Sequence, residues 1–186
     1  MQKGVLNESD KDIITKFLQK PTDIYSAFSN QCELAKKALQ KGILNESYKN
    51  IITPFLQKPN TQESALKAQF NLAKVAFEKC IQKEDYKILK SLFSPNDYKE
   101  TMTRQYDFIE AMLKEKSSND FVKVALLAFL NKDAGNDKAL VKMQCNLAKT
   151  AKNENIQLDE IQEFFDKVKN SILEQKITVA KNLSYL

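Results

Sequence analysis

Apolar residues come in pairs one helical turn apart along much of this chain. Ile13, Ile14, Phe17 and Leu18 form one such set, and Ile51, Ile52, Phe55 and Leu56 repeat it. Positions i, i+1, i+4 and i+5 share one side of an α-helix but divide between the two faces of a strand. The pattern predicts short helices over about 8–19 and 46–57, and weaker versions of it predict two more over about 84–93 and 120–132. Between them lie longer segments in which the residues three, four and seven places after a glutamine are apolar. They are Leu34, Ala35 and Ala38 after Gln31, and Leu72, Ala73 and Ala76 after Gln69. Phe108, Ile109 and Met112 follow Gln105 in the same way, and Leu147, Ala148 and Ala151 follow Gln144. These segments predict longer helices over about 23–41, 61–80, 97–116 and 137–153. A last segment, about 159–183, has neither Gly nor Pro and reads as one or two closing helices.

Breakers and caps fall between these segments. Pro21, Pro59 and Pro95 end short helices, because proline disfavours helical geometry in the residue before it. Asn7 or Ser9, and Asn45 or Ser47, supply side chains suited to an N-cap. Gly42 reads as a left-handed residue closing a long helix, with Ile43 as its hydrophobic contact. Pro54 falls inside its helix, where Lys16 stands in the first copy, and is expected to kink it.

The pattern is also a repeat. Residues 2–21 and 40–59 agree at sixteen of twenty positions, at an offset of 38. The four glutamines are spaced 38, 36 and 39 residues apart, which defines four units, each a short helix followed by a long one. Such a period marks stacked helical hairpins, each unit burying its apolar face only against its neighbours. The expected fold is all-α: tandem helical-hairpin repeats in one domain spanning 1–186. Its units cover about 3–40, 41–78, 79–115 and 116–153, with a closing helix over about 157–184. An open α-solenoid and a compact bundle both satisfy this pattern. Gln2, Lys3 and Gly4 match Gln40, Lys41 and Gly42, the end of a long helix. A chain cut from a longer array would begin in this way, as would a natural terminus left by duplication.

Composition supports a helical chain, with only 3 Gly and 4 Pro among 186 residues. The net charge of +5 rests on 28 lysines and a single arginine, Arg104. Nucleic-acid readers lean on arginine for bidentate contacts, so lysines spread over every helix read as solvated faces able to attract acidic partners. The longest uncharged apolar run, Val124 to Leu130, is far short of the roughly 20 residues a membrane span requires. Cys32 and Cys145 occupy the repeat position held elsewhere by Phe70 and Tyr106. A thiol that alternates with aromatic rings is acting as a small apolar group. Reduced cysteine and an intracellular, cytoplasmic location are expected, with secretion after loss of a signal as the alternative.

The layout resembles the helix-turn-helix repeat proteins of the tetratricopeptide and Sel1-like families in architecture and period. The tetratricopeptide pattern W-x2-L-G-x2-Y and its spacing of about 34 residues are absent, as is the ankyrin T-P-L-H signature. No family residue is carried over.

Chemistry-bearing constellations do not stand out. With no histidine there is no Ser–His or Cys–His pair and no His-based metal site. Three glycines form neither a P-loop nor a GxGxxG run. The expectation is a non-enzymatic protein-binding module or scaffold, without cofactor or metal, whose partner is another protein or an acidic, extended peptide. The glutamine column is the sharpest feature. Gln31, Gln69, Gln105 and Gln144 lie on or beside the buried stripe, where an amide must find partners. They read either as a structural ladder bonded to loop backbone or as a row lining a groove. In the second reading Lys37, Lys74 and Lys149 share the partner-binding role. The alternative function is a carrier of fatty acid or another apolar ligand in an interhelical cavity. A third, disfavoured, is weak lysine-mediated nucleic-acid binding.

Overall fold

The structure, a computed structural model, describes residues 8–44, 48–79, 86–115, 120–156 and 158–183. Among them it has nine helices and no strand. The short helices are α1 (Glu8–Leu18), α3 (Tyr48–Leu56), α5 (Tyr86–Phe93) and α7 (Asp120–Leu130). The long ones are α2 (Tyr25–Gln40), α4 (Glu63–Lys79), α6 (Lys99–Lys114) and α8 (Lys138–Asn153). The closing segment is one helix, α9 (Asp159–Leu183). Every helix expected from the apolar spacing is present among the described residues, and the segment read as one or two closing helices is one. The N-cap expectation at Asn7, Asn45 and Ser47 lies outside the described residues, and Ser9 lies within α1. Helix α3 runs through Pro54, which is exposed, and on to Leu56.

Most helices pack against the helix two places along the chain. Long helices follow one another in contact, α2 with α4, α4 with α6 and α6 with α8. Short helices do the same, α3 with α5 and α5 with α7, and α9 closes against α7 and α8. The longest contact is α2 along α4. Ala35 and Ala38 of α2 and Ala73 and Ala76 of α4 are buried and carry only a methyl group, which suits so close an approach. Small side chains let two helix axes approach and leave the interior close-packed.

Aromatic rings lock α4, α5, α6 and α7 together. The Phe93 ring on α5 lies 5.1 Å from Phe70 of α4, 6.0 Å from Phe108 of α6 and 5.3 Å from Phe121 of α7. Phe77 extends the cluster to Phe121 at 5.5 Å. Nearer the N-terminal end, Phe28 of α2 meets Phe55 of α3 at 5.6 Å. One polar atom is stranded in this core. Thr101 is buried, and its Oγ1 finds no hydrogen-bond partner among the described residues. Thr101→Val keeps the shape and removes the orphaned hydroxyl, so it is expected to raise stability by about 1 kcal/mol. Urea denaturation of the two proteins checks this.

Two long helices end with the same device. Gly42 has φ 72°, and Ile43 N–H donates to Ala38 O at 2.9 Å while Gly42 N–H donates to Leu39 O at 3.1 Å. Asn155 takes the glycine's place after α8 with φ 57°, and Ile156 N–H donates to Ala151 O at 2.9 Å. This is the Schellman arrangement, which satisfies the last carbonyls of a helix and seats an apolar residue behind it. Ile156 is buried accordingly.

Burial also decides the chemistry of Cys32. Its thiol is fully enclosed, and burial first, with the nearby Glu33 carboxylate adding to it, pushes the pKa up to about 12. The nucleophilic thiolate is therefore absent at ordinary pH. Cys145 is free and only half-buried. Treating the native protein with iodoacetamide at pH 8 and mapping the peptides is expected to show Cys145 modified at least tenfold faster than Cys32. Unfolding in guanidinium should abolish the difference.

Candidate partner-binding site

The four glutamines are best understood from the loop each one faces. A helix leaves the carbonyls of its last turn without intrahelical donors. After α1, α3 and α5 the chain turns at Pro21, Pro59 and Pro95, and proline has no N–H to offer those carbonyls. A primary amide fits the need, since its nitrogen has two protons to give and its oxygen can accept. Lysine cannot accept, ionised glutamate cannot donate, and asparagine is one carbon shorter.

The geometry recurs closely. Gln31 Nε2 donates to Phe17 O and to Lys20 O, both at 3.1 Å, and Thr22 N–H donates to Gln31 Oε1 at 2.9 Å. Gln69 Nε2 donates to Phe55 O at 2.6 Å and Lys58 O at 2.9 Å, while Asn60 N–H donates to Oε1 at 2.7 Å. Gln105 Nε2 donates to Leu92 O at 2.6 Å and Ser94 O at 2.9 Å, and accepts at Oε1 from Asn96 N–H at 3.2 Å. Gln144 Nε2 lies within bonding distance of three carbonyls, those of Phe129, Leu130 and Lys132, at 3.0, 3.3 and 2.7 Å. All four glutamines are buried. Each clips the end of a short helix to the long helix that follows it, so its amide is engaged with loop backbone inside its own hairpin.

The residue after each proline does double duty, and sequence reasoning passed over it. Thr22, Asn60 and Asn96 give their N–H to the glutamine and accept on the side chain from the N–H two residues on, at 3.2, 2.9 and 2.9 Å. Such a turn opens the next helix. A readable signal existed, because a Pro-Thr or Pro-Asn pair precedes Gln31, Gln69 and Gln105 at a fixed distance. The fourth loop lacks the proline. It turns instead through Gly135, φ 46°, whose N–H donates to Asp133 Oδ1, and Asp137 caps α8 by accepting from Ala139 N–H and Leu140 N–H.

Of the candidate lysines, Lys37 and Lys149 are exposed and Lys74 is half-buried. Lys74 and Lys149 stand five residues after their glutamines, and so does Lys36, which pairs with Glu33. Lys36 therefore joins this column, and Lys37 stands one place beyond it. In α6 the column holds Glu110 instead, which accepts from Tyr106 Oη at 3.1 Å and pairs with Lys114 at 3.0 Å. Burial, then the bond to Glu110, raises the Tyr106 pKa. Arg104 is engaged on the surface, 3.3 Å from Glu63 of α4 and 3.9 Å from Asp107.

A cleft of about 600 Å³ lies between α9 and the α7–α8 corner. Its lining mixes Val141, Phe164 and Val168 with Lys142, Lys167 and Glu163. Among the described residues no group of three or more His, Cys, Asp or Glu side chains is placed to hold a metal, and no helix is long and apolar enough to cross a membrane. Compared with family models, curated proteins and solved structures, the chain matches none, so its function is argued from its own residues.

Proposed function

We propose that this chain is a non-enzymatic protein-binding module, an α-solenoid of four helical hairpins closed by α9. The supporting observation is the succession of contacts from α2 to α4, α4 to α6 and α6 to α8, with a buried glutamine bonded to loop carbonyls in every hairpin. Hairpins held at a constant internal geometry and stacked side by side present a continuous helical surface, the usual binding surface of repeat proteins. The glutamines fix the hairpins from within. Lys37, Lys74 and Lys149, with Lys36, supply the positive contacts along that surface, and an acidic, extended polypeptide is the partner they fit.

The test compares immobilised wild-type protein with a Lys37→Glu/Lys74→Glu/Lys149→Glu variant, each exposed to lysate of the source cells and read by quantitative mass spectrometry. Acidic polypeptides enriched on the wild type are expected to fall at least tenfold on the variant. Equal capture by both proteins would refute the assignment of these lysines. An added mass of a few hundred daltons in the native mass spectrum would favour the apolar-ligand carrier.

A further inference from the structure

The fourth glutamine is held differently from the other three. Gln31, Gln69 and Gln105 each accept at Oε1 from the N–H nine residues earlier, those of Thr22, Asn60 and Asn96. At the matching position before Gln144 stands Gly135, and its N–H donates to Asp133 Oδ1 at 2.9 Å instead. The amide cannot turn over to mend this, because three carbonyls surround Nε2. Gln144 Oε1 therefore has no donor among the described residues, although the residue is only 3% exposed. Nor is that oxygen sealed in the core as Thr101 Oγ1 is. Gln144 lines the cleft of about 600 Å³ between α9 and the α7–α8 corner, and its oxygen is the end left to face it. The same cleft carries charges of both signs that do not neutralise one another. Lys142 and Lys167 line it with Glu160 and Glu163, all four exposed, and none of them forms an ion pair with a described residue.

We infer that this cleft binds a small zwitterion with an apolar body, the class of hydrophobic α-amino acids and of short peptides built from them. Its ammonium group donates to Gln144 Oε1 and faces Glu160 and Glu163, while its carboxylate faces Lys142 and Lys167. Its apolar side chain lies against Phe164 and Val168 of α9 and Val141 of α8, all half-buried. A few convergent polar groups on an apolar wall, in a volume of this size, are the usual make-up of a small-ligand site. A fatty acid answers the cleft less well, since its ionised carboxylate has no proton to give Gln144 and no group to face the two glutamates. Lys37, Lys74 and Lys149 do not line the cleft, so this site stands or falls separately from the polypeptide surface proposed above.

The probes are phenylalanine and the dipeptide leucylphenylalanine, each titrated into the isotope-labelled full chain and followed by NMR. The expected result is saturable shifts in the backbone amides of Gly135, Val141 and Phe164 and in the side-chain amide of Gln144. The tighter of the two probes tells a free amino acid from a peptide as the natural source. N-acetylphenylalanine lacks the ammonium group and phenylalaninamide lacks the carboxylate, so each is expected to bind at least about tenfold more weakly while the protein stays unaltered. Lys142→Ala and Glu163→Ala change exposed positions, should leave the circular dichroism spectrum and melting unchanged, and should each weaken the zwitterions several-fold. No saturable shift with either probe, or shifts that avoid the cleft, would overturn the proposal. So would equal binding of the acetylated and amidated compounds, or affinities that neither variant alters.

Discussion

Gln69→Met is expected to destabilise the protein by about 3 kcal/mol although the two side chains have similar shape and volume. The substitution strips donors from the Phe55 and Lys58 carbonyls and an acceptor from Asn60 N–H. An unpaired buried polar group costs roughly 1–3 kcal/mol, and water can reach the two part-buried partners more readily than Phe55 O. For a chain of 186 residues that loss corresponds to a fall in melting temperature of roughly 6–12 °C. Gln69→Glu separates hydrogen bonding from packing. A protonated carboxyl can still donate once and accept once, but an ionised one turns charge toward two carbonyl oxygens. The carboxyl therefore titrates higher in the folded protein than in the unfolded chain, where it lies near 4.3. Stability is retained below the unfolded value and lost as pH rises through the folded one. Melting the Gln69→Glu protein at pH 4 and pH 8 should show the larger loss at pH 8.

Phe93→Ala is expected to cost about 3–5 kcal/mol. Phe93 is fully buried and is the ring at which α4, α5, α6 and α7 meet, through Phe70, Phe108 and Phe121. Deleting it opens a cavity that three neighbours from three helices cannot collapse into together. Phe17→Ala provides the control, since its ring is mostly exposed and its loss should stay within about 0.5 kcal/mol. Guanidinium denaturation of both variants compares the same side-chain truncation inside and outside the core.

Much of this fold is legible in the sequence because helical spacing is a local property. The pairs at Ile51, Ile52, Phe55 and Leu56, and the stripe after each glutamine, depend only on residues within two turns. They located α1 to α8, the breaker-free closing segment read as one or two helices is the single α9 among the described residues, and Gly42 announced its own cap. The glutamine column was visible for the same reason, and its buried position followed from the apolar residues around it. Its bonding partners were not, because backbone carbonyls such as Lys20 O and Lys58 O carry no side-chain signature. The choice between a ladder and a groove turned on where those carbonyls lie.

Contacts between units were harder still. Nothing near Phe93 in sequence names Phe70 or Phe121 as its neighbours, and the meeting of those rings depends on how distant helices pack. Asn155 was likewise missed as a cap, since asparagine takes the left-handed conformation less often than glycine. The clearest case is α1. Ile13 and Phe17 share their local sequence with Ile51 and Phe55, and no reading of that sequence can give the two pairs different exposures. Tertiary packing does so, as where the Phe55 ring lies against Phe28 of α2.

Hydrogen exchange of the glutamine side-chain amides, followed by NMR, tests the clips most directly. The exposed Gln40, Gln57 and Gln62 serve as references within the same molecule. Nε2 protons held by loop carbonyls should exchange at least about a hundredfold more slowly for Gln31, Gln69, Gln105 and Gln144 than for those references. Exchange at the reference rate in all four would contradict the clips, and with them the constant hairpin geometry from which the binding surface is inferred.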